Sequence, residues 1–596
     1  MRRYDFAADI FFLVPEEAPF EAYFGSSYLN IPDGYDYDIG TVSQLREMTV
    51  KNGLLTSRGG TSYKLLVSTA NERVRPEYAK TLCELAEKGV AVAAERPVAS
   101  CSHANHATSG RVLRDLVESR WSTDADMLGK GKVVEVTGYD QLLPVLGLPD
   151  FTYRTVTDLT HVPYKPMARE GRNVDFIHRK YGDADYYFVS NQLEAPHSIE
   201  AIFRISGRVP EIWDPQTGKR TDAGVFRLTG DGRTLVPLHL EPAQSLFIVF
   251  RRALDKGQVY VTHLRQDGNP QASRVLFEKD RLTIEKAHYT SGGKERKRYD
   301  VTKTAQDSIE DGKTEFRGIS VGKSSLEVFY RYKDRAFVHK RARGALGTGI
   351  PDAVALDVRY PGAKILKRGQ GIELQIRRPG SYELTLSSGK KQVVTVGTLP
   401  QPVVLDAGWQ LDFPPGWDTP KTVELSELIS WSDHSDWGIQ HFSGTATYTR
   451  LFELGKDWLE NADRIQFDLG HVHELAAVKL NGQDLGVLWK PPFELDVTGL
   501  VKPGENRLEI RVTNLWVNRL IGDDKLKPDY EYRRIPGGIG ITRFPDWVKD
   551  GGPRPNPKRK TFYTSRYYRG KDALLSSGLL GPVKLVPVVT REITFP

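Results

Sequence analysis

The chain has 596 residues, of which 39% are hydrophobic and 10% aromatic, and it contains 35 prolines. This composition excludes a disordered chain and indicates a folded, mostly β protein; at ~150 residues per domain, the length predicts three to four domains. The formal net charge of +7 permits acidic partners but does not require nucleic acid, so no nucleic-acid partner is predicted.

The first residues lack the pattern of a secretory signal. Their apolar stretch, 10–14, is short and is followed by Glu16 and Glu17. No apolar run approaches the ~20 residues that cross a bilayer, so no membrane span is predicted. Cys83 and Cys101 are the only cysteines, too few for a disulfide framework or a zinc cluster. We expect Cys83, on the apolar side of a predicted helix, to be a buried structural thiol.

Strand and helix patterns alternate over residues 1–180. Residues 63–68 and 90–94 are apolar runs typical of buried strands, and the segment between them repeats apolar residues at helical spacing. Such alternation favours a parallel sheet covered by helices. Residues 1–180 are therefore predicted to form an α/β domain.

The helical period disappears after about residue 185. Runs such as 186–190 and 245–250 have strand composition, and they predict an antiparallel β domain over residues 181–254. Strand patterns with Gly-rich turns continue over 255–402, which is predicted as a β-sandwich ending in a proline-rich linker.

The alternation of apolar and polar residues is clearest from residue 403 onward. Ile465, Phe467 and Leu469 alternate with polar residues, as expected for strands that bury one face. Asn481-Gly482 lies between two alternating runs and predicts a tight hairpin. Residues 403–596 are therefore predicted to form a further β-sandwich domain.

Three stretches of this last segment resemble one specific module. They read FSGTATY at 442–448, NLWVNRLIGD at 514–523 and SGLLGPV at 577–583. Together they resemble the sugar-binding jelly roll that is appended to glycoside hydrolase family 2-type and family 106 (α-L-rhamnosidase-like) enzymes. The resemblance implies a galactose-binding-like jelly roll at the C-terminal end.

The resemblance to family 106 extends over nearly the whole chain. Residues 7–12 and 32–38 resemble the segment that follows the catalytic barrel, and the α/β region is similar to a glutamine-amidotransferase-like domain. Residues 177–191 and 207–215 resemble the next β domain. The implied fold is multidomain and mainly β, with an N-terminal α/β domain, β-sandwich domains and the jelly roll.

Enzymes of this family carry their catalytic acid and base on a (β/α)₈ barrel that precedes all of these segments. No position of this chain matches that barrel, so the resemblance implies that the catalytic barrel is absent and assigns no catalytic residue. The expected explanations are a fragment, a split gene product or a barrel-less relative. Family members are usually exported, and the missing signal fits truncation; the compartment stays open.

The loop at 514–523 combines residue types that suit a sugar. A pyranose presents hydroxyl groups, which amide, guanidinium and carboxylate groups bind, and an apolar face, on which an indole stacks. The predicted sugar-binding residues are Trp489, Asn514, Trp516, Asn518, Arg519 and Asp523. The alternative is that Trp516 and Leu520 belong to the core and that Arg519 and Asp523 form a buried pair that holds the loop.

A second candidate site lies near the beginning of the chain. Asp36 and Asp38 point the same way in an extended segment, and Tyr35 and Tyr37 are placed to stack on a sugar. Glycoside hydrolysis needs two carboxyl groups at a defined separation, and the sequence alone does not establish that separation. The favoured interpretation is a loop with solvated carboxylates.

The sequence patterns for metal binding and for charged surfaces are weaker signals than the loop at 514–523. His471 and His473 share a strand face, but no further zinc ligands are near, so a histidine pair without metal is favoured. No cofactor is expected, although structural Ca²⁺ is common in sandwiches of this kind. The basic runs 294–298 and 554–560 are interpreted as solvated faces, or alternatively as surfaces that attract an anionic glycan.

The sequence thus predicts a carbohydrate-active protein, the non-barrel portion of an α-L-rhamnosidase-like glycoside hydrolase that acts on rhamnose-containing polysaccharide. The alternative is a stand-alone carbohydrate-binding or accessory protein without catalysis. A third class is a hydrolase with its own site near Asp36 and Asp38. The predicted partner is a polysaccharide or oligosaccharide, and the oligomeric state is open.

Overall fold

The chain is mainly β, and its strands form several separate sheets. The computed structural model describes residues 5–14, 33–68, 72–102, 106–135, 138–155, 173–192, 197–241, 243–266, 269–270, 282–290, 298–300, 325–332, 335–342, 363–368, 371–405, 407–535 and 538–595.

A six-stranded parallel sheet forms the N-terminal part. Its strands, in sheet order, are Trp121–Ser122, Val133–Val134, Ala91–Ala94, Leu65–Ser68, Ile10–Leu13 and Tyr37–Gly40. Helices Pro76–Glu87 and His106–Arg120 bury apolar side chains on one side of the sheet. The predicted alternation of strand and helix is observed here. Cys83 is buried as predicted, and burial raises the pKa of its thiol to about 11.

Short elements complete this part. They are the helices Val42–Arg46 and Leu143–Leu146, the 3₁₀ turns Ala125–Met127 and Tyr139–Leu142, the small antiparallel sheet of Thr49–Lys51, Leu54–Thr56 and Ser62–Tyr63, and the parallel pair Arg73–Val74 and Ala99–Ser100. Leu142 and Leu146 pack against the sheet face opposite to the two long helices.

Two antiparallel sheets follow and pack around one apolar core. The first contains Asp5–Phe6, Val174–Tyr181, Ala184–Asn191, Ser245–Ala253, Arg208–Trp213 and Arg220–Asp222. The second contains Phe151–Thr155, His197–Phe203, Thr234–Leu240 and Arg227–Leu228. Along Ala184–Asn191 every second residue is buried, which is the period-2 pattern of a strand with one core-facing side.

Much of the predicted sandwich at 255–402 lies outside the described residues. One described sheet contains Asn269–Pro270, Val261–Gln266, Gly380–Leu386 and Lys391–Val396, and another contains Arg298–Asp300, Leu282–Thr290, Ser325–Tyr332 and Arg335–Ala342. Strands Ala363–Arg368 and Gly371–Ile376 instead join the sheet of the C-terminal part, because Gly371–Ile376 pairs with Lys584–Thr594.

Two sheets face each other across the largest apolar core of the C-terminal part. One contains Thr422–Leu425, Trp409–Asp412, Thr445–Leu454, Gly504–Thr513, Leu475–Leu480 and Gln483–Leu488. The other contains Ala363–Arg368, Gly371–Ile376, Lys584–Thr594, Arg464–Asp468 and Glu494–Asp496, and Val403–Val404 pairs with Lys584–Thr594. The short pairs are His471–His473 with Gly578–Gly581, and Arg533–Ile535 with Gly538–Gly540. The helices are Trp437–Gln440, Lys456–Glu460, Val517–Lys525 and Asp546–Lys549, with a 3₁₀ turn at Trp431–Asp433.

The hairpin predicted at Asn481-Gly482 is confirmed. Leu480 pairs with Gln483, so two residues form the turn. Asn481 and Gly482 have φ angles of 51° and 84°, the left-handed conformation that the favoured two-residue hairpin turn requires.

A buried ionic network connects the parallel sheet to the antiparallel sandwich. Asp9, the residue before strand Ile10–Leu13, pairs with Lys64 and Arg204, each at 3.0 Å. Arg204 also lies 3.3 Å from Asp150, whose other oxygen is 2.8 Å from Nδ1 of His178. The charges therefore form a continuous chain from one layer to the next.

His178 lies between two buried carboxylates. Its Nε2 is 2.9 Å from Asp185, and its ring stacks on Tyr187 with 4.0 Å between ring centres. Burial opposes protonation of His178, but the hydrogen bonds and charges of Asp150 and Asp185 outweigh it, so the pKa of His178 is raised. The ring is accordingly assigned as an imidazolium that donates from both nitrogens.

The predicted domain boundaries remain predictions. Antiparallel pairing between Val174–Tyr181 and Ala184–Asn191 crosses the boundary placed after residue 180. Pairing between Gly371–Ile376 and Lys584–Thr594 likewise connects the segments placed on either side of residue 402.

Candidate glycan-binding site

Asn514 fixes the turn in which strand Gly504–Thr513 ends. Its Oδ1 accepts a hydrogen bond from the Gly444 amide at 2.9 Å, and its Nδ2 donates to the Phe442 carbonyl at 2.8 Å. Ser443 adds a bond from its hydroxyl to the Leu515 carbonyl at 2.8 Å. Because both ends of the Asn514 amide bind backbone, this predicted sugar ligand connects the first two family-like stretches instead of facing solvent.

Asn518 has the same role one turn later. It is buried in helix Val517–Lys525, its Oδ1 accepts from the Leu575 amide at 2.7 Å, and its Nδ2 donates to the Leu575 carbonyl at 2.8 Å. The Ser577 hydroxyl lies 3.4 Å from the same Nδ2. Asn518 therefore connects the second family-like stretch to the third.

Arg519 and Asp523 form a fully buried ion pair, with Arg519 Nε 2.8 Å from Asp523 Oδ1. The other oxygen of Asp523 accepts from the amides of Lys560 and Thr561 at 2.7 and 2.6 Å and from the Thr561 hydroxyl at 2.8 Å. Arg519 also donates to the Lys558 carbonyl. The direct sugar contacts expected from the sequence for these two residues are not available to fully buried side chains; the alternative, a buried pair that holds the loop, is the arrangement observed.

Two indoles flank the Arg519 guanidinium. Its central carbon lies 5.6 Å from the ring centre of Trp417 and 5.5 Å from that of Trp437, within the range of cation–π attraction. Asp418 is 3.7 Å from Nη1 of Arg519, and its side chain is 42% exposed. The arginine therefore connects the buried Asp523 to the partly exposed carboxylate of Asp418 and to two half-buried indole rings.

Trp516 is exposed, contrary to the alternative that placed it in the core. It is 55% exposed, and its ring centre lies 6.0 Å from that of Trp417 at an angle of 44°. The neighbouring Leu515 is also exposed. A large apolar ring that lies open to solvent on a rim of fixed geometry is the feature that a sugar face stacks on.

Trp489 is equally exposed, at 55%, and lies at the same end of the sandwich. Strands Gln483–Leu488 and Gly504–Thr513 both pair antiparallel with Leu475–Leu480, so they run in the same direction and end on the same side. Trp489 follows the first strand and Trp516 follows the second. The exposed tryptophans of the predicted set thus share one end of the sheet.

His441 closes the base of this region. Its Nδ1 is 2.8 Å from the Trp437 carbonyl, and its Nε2 is 3.0 Å from Nζ of Lys525, so the neutral ring donates from Nδ1 and accepts at Nε2. Burial lowers the pKa of His441, and the positive charge of Lys525 adds to this effect. Gly522 packs directly on the ring, where a Cβ would lie 2.6 Å from His441 Cδ2.

Trp417 and Asp418 were missed by sequence reasoning. They lie in the stretch PPGWDTP, 414–420, in which prolines and a glycine surround an aromatic residue and a carboxylate. Gly438 lets this loop approach helix Trp437–Gln440, since a Cβ there would lie 1.5 Å from the Asp418 carbonyl oxygen. An indole next to a carboxylate in a stiff loop was the available signal.

The segment around Asp36 and Asp38 does not have the expected geometry. Tyr35 is buried, and its hydroxyl donates to the Gly147 carbonyl, so it does not present a ring for stacking. Asp38 accepts from the Tyr63 hydroxyl at 2.7 Å, and Asp36 accepts from the Tyr37 amide at 3.0 Å. The interpretation of both carboxylates as merely solvated is therefore incomplete, because each is bound by a neighbour.

His471 and His473 lie on a short strand that pairs with Gly578–Gly581. Within the described ranges, no group of three or more His, Cys, Asp or Glu side chains is arranged to hold a metal ion. Nor does any helix among these residues have both the length and the apolar composition to cross a membrane.

The two basic runs differ in outcome. Residues 294–297 lie outside the described part of the chain. In the run at 554–560, Arg554 and Arg559 are not solvated, because both pair with the buried carboxylate of Asp529. For these two residues the solvated-face interpretation is wrong.

Comparison with known proteins bears on the whole chain. A family model described as alpha-L-rhamnosidase matches residues 2–227. A candidate beta-glucuronidase from Formosa agariphila is 28% identical over 678 aligned positions, covering 98% of this chain and 56% of the relative. The solved structure of a rhamnosidase from Novosphingobium sp. PP1Y is 25% identical with a TM-score of 0.58, covering 98% of this chain and 39% of that one.

The resemblance to the α-L-rhamnosidase family is confirmed. The chain is glycoside hydrolase-like along nearly its full length, while it spans about half of the curated relative and about two fifths of the rhamnosidase.

Proposed function

We propose that this chain is the non-barrel portion of an α-L-rhamnosidase-like hydrolase that acts on rhamnose-containing polysaccharide. We further propose that its C-terminal sandwich binds the glycan at the end that carries Trp489 and Trp516. The observation that supports this most is the likeness to a rhamnosidase structure over 98% of the chain, at a TM-score of 0.58.

We call the end of the sandwich that carries Trp489 and Trp516 the tryptophan rim. This rim suits a deoxysugar. A 6-deoxyhexose has a methyl group and an apolar ring face, and both gain from contact with an indole. Trp516 lies against Trp417, and Arg519 is held behind Trp417 by its buried pair with Asp523. The platform is thus supported by groups that are already ordered, which keeps the entropic cost of binding low.

Asp418 supplies the polar counterpart. Its carboxylate is partly exposed beside Trp417 and accepts hydrogen bonds only, so it suits the hydroxyl groups of a pyranose. The pair with Arg519 fixes its direction. The sugar-binding set that we propose is accordingly Trp417, Asp418, Trp489 and Trp516, with Asn514, Asn518, Arg519 and Asp523 acting as supports.

Hydrolysis requires two carboxyl groups on either side of the glycosidic oxygen. Asp36 and Asp38 do not form an open pair, since each accepts a hydrogen bond from a neighbouring tyrosine residue. We propose that the catalytic carboxylates belong to parts of the whole enzyme other than these 596 residues.

The test uses the purified chain in native gels that contain a neutral rhamnose-containing polysaccharide, alongside gels with dextran. We expect retarded mobility in the first gel only, and no release of rhamnose from the polysaccharide or from p-nitrophenyl α-L-rhamnoside. Trp489→Ala should weaken the retardation severalfold, whereas Tyr181→Ala, an exposed aromatic residue of the antiparallel sandwich, should not.

Two results would count against the proposal. Equal mobility with and without the polysaccharide would remove the binding role. Rhamnose release that a single Asp or Glu substitution in this chain abolishes would place the chemistry here.

A further inference from the structure

The positive charge of this protein is concentrated in one segment. Residues 526–572 contain twelve lysines and arginines against five aspartates and glutamates, a formal net charge of +7. This equals the net charge of the entire chain, so the other 549 residues are formally neutral. We call residues 526–572 the basic segment.

Buried carboxylates hold the basic segment in place. Asp529 is buried between Arg554 and Arg559, at 2.9 Å from the latter. Asp523 and Asp524 of helix Val517–Lys525 add further anchors: Asp523 accepts from two backbone amides of the segment, and Asp524 pairs with Arg566 at 2.9 Å. The charges of Arg554, Arg559 and Arg566 are therefore already balanced by carboxylates within the fold.

A second group of cations is left at the surface. Among the described residues, Arg534, Arg543, Lys558 and Lys560 are exposed and have no carboxylate within ion-pair distance. Surface charges of one sign that lie within about a Debye length (~10 Å at 0.1 M salt) act together on a polyanion.

Exposed aromatic rings accompany these cations. Tyr567 is 78% exposed and Phe544 is 49% exposed. The Arg566 amide donates to the Ile539 carbonyl, and Ile539 pairs with Arg534, so Tyr567 begins about two strand spacings, roughly 10 Å, from Arg534. The same segment thus carries both exposed rings and exposed cations, a combination that suits a chain of sugars that carry negative groups.

We infer that the basic segment binds an acidic polysaccharide, one that bears uronate carboxylates or sulfate esters. Lysine and arginine bind the anionic groups, while Tyr567 and Phe544 stack on the sugar rings. The inference rests on the proposed function for the carbohydrate class of the ligand and extends it, because the tryptophan rim recognises neutral sugar and the basic segment recognises charge.

The experiment measures mobility in native gels at low salt with polygalacturonate, dextran sulfate or neutral dextran. We expect retardation by polygalacturonate or dextran sulfate but not by neutral dextran, and which of the two acts identifies carboxylate or sulfate as the recognised group. The retardation should disappear as salt is raised, since exposed charges are screened.

The variant that tests the assignment replaces the four exposed cations together, R534Q/R543Q/K558Q/K560Q. We expect about tenfold weaker binding, the loss of four exposed ion pairs. A matched control, K51Q/K256Q/K390Q/K479Q, removes the same charge from exposed positions elsewhere and should bind as the unchanged chain does. Tyr567→Ala should weaken polysaccharide binding without changing the net charge.

Two outcomes would overturn the inference. If both quadruple variants weaken binding equally, net charge and not the basic segment attracts the ligand. If double-stranded DNA binds more tightly than either acidic polysaccharide and Tyr567→Ala has no effect, the segment is a nucleic-acid surface. Binding to neutral rhamnose-containing polysaccharide through the tryptophan rim is scored separately, so failure here leaves the proposed function standing.

Discussion

Two of the buried charge clusters in the described part of the chain hold neighbouring layers together by different means. In the N-terminal half, a protonated His178 is shared by Asp150 and Asp185, and the network continues to the parallel sheet. In the C-terminal sandwich, Arg519 and Asp523 carry the charge, and His441 beside them is neutral. Only the second cluster lies beneath exposed tryptophans.

The difference separates support from recognition. An arginine keeps its charge at every relevant pH, so the Arg519 side of the buried pair beneath Trp516 does not depend on protonation. A histidine between two carboxylates depends on its proton, so the hold of the N-terminal cluster weakens as pH rises. In the function proposed above, recognition in the C-terminal part falls to Trp489 and Trp516, whose rings are exposed.

The largest expected effect is that of removing charge from the C-terminal cluster. Asp523→Asn leaves the buried Arg519 with only the partly exposed Asp418 as a counter-charge, and breaking such a buried pair costs about 3–5 kcal/mol in the free energy of unfolding. Asp418→Asn removes the partly exposed partner of the same arginine and should cost below about 1 kcal/mol. Urea unfolding followed by tryptophan fluorescence compares them. Equal losses would mean that the buried pair is not what holds the loop.

The next effect is a pH response of opposite sign in the two halves. The pKa of His178 is raised above its ordinary value of 6.5, so its contribution is complete below that pH and is lost as pH rises through the folded pKa, at about 1.4 kcal/mol per pH unit. The pKa of His441 is lowered, so its contribution is present above pH 6.5 and is lost as pH falls. The clusters therefore weaken at opposite ends of the pH range.

Hydrogen exchange read by peptide distinguishes the halves in one sample. After correction for intrinsic exchange rates, protection in strands Val174–Tyr181 and Ala184–Asn191 should fall as pH rises above 6.5. Protection of the peptide that follows His441 should fall on acidification. A common direction in both peptides would show that one of the two histidine assignments is wrong.

The sequence predicted the regular parts of the fold well, because periodicity reflects which face is buried. The parallel sheet over the N-terminal part and the hairpin at Asn481-Gly482 depend on such local signals. The pairing of Gly371–Ile376 with Lys584–Thr594 depends on contacts more than two hundred residues apart, which no local pattern encodes.

The site was predicted only in part for a similar reason. Residue type does not distinguish a polar side chain that faces a sugar from one that satisfies a backbone, and Asn514 and Asn518 proved to do the latter. Arg519 and Asp523 fit the alternative of a buried pair. Trp417 was missed because its proximity to Trp516 arises only after the loop 414–420 folds back on the sandwich.

The most direct test of this division between support and recognition pairs Trp516→Ala with Asp523→Asn, each measured for urea unfolding and for retardation by neutral rhamnose-containing polysaccharide. Trp516 is exposed, so its truncation should change the free energy of unfolding by less than about 0.5 kcal/mol while weakening binding by roughly tenfold through the lost stacking. Asp523→Asn should lower the free energy of unfolding and leave polysaccharide binding unchanged under conditions in which the variant stays folded. If Trp516→Ala binds the polysaccharide as the unchanged chain does, the exposed rim is not the glycan site.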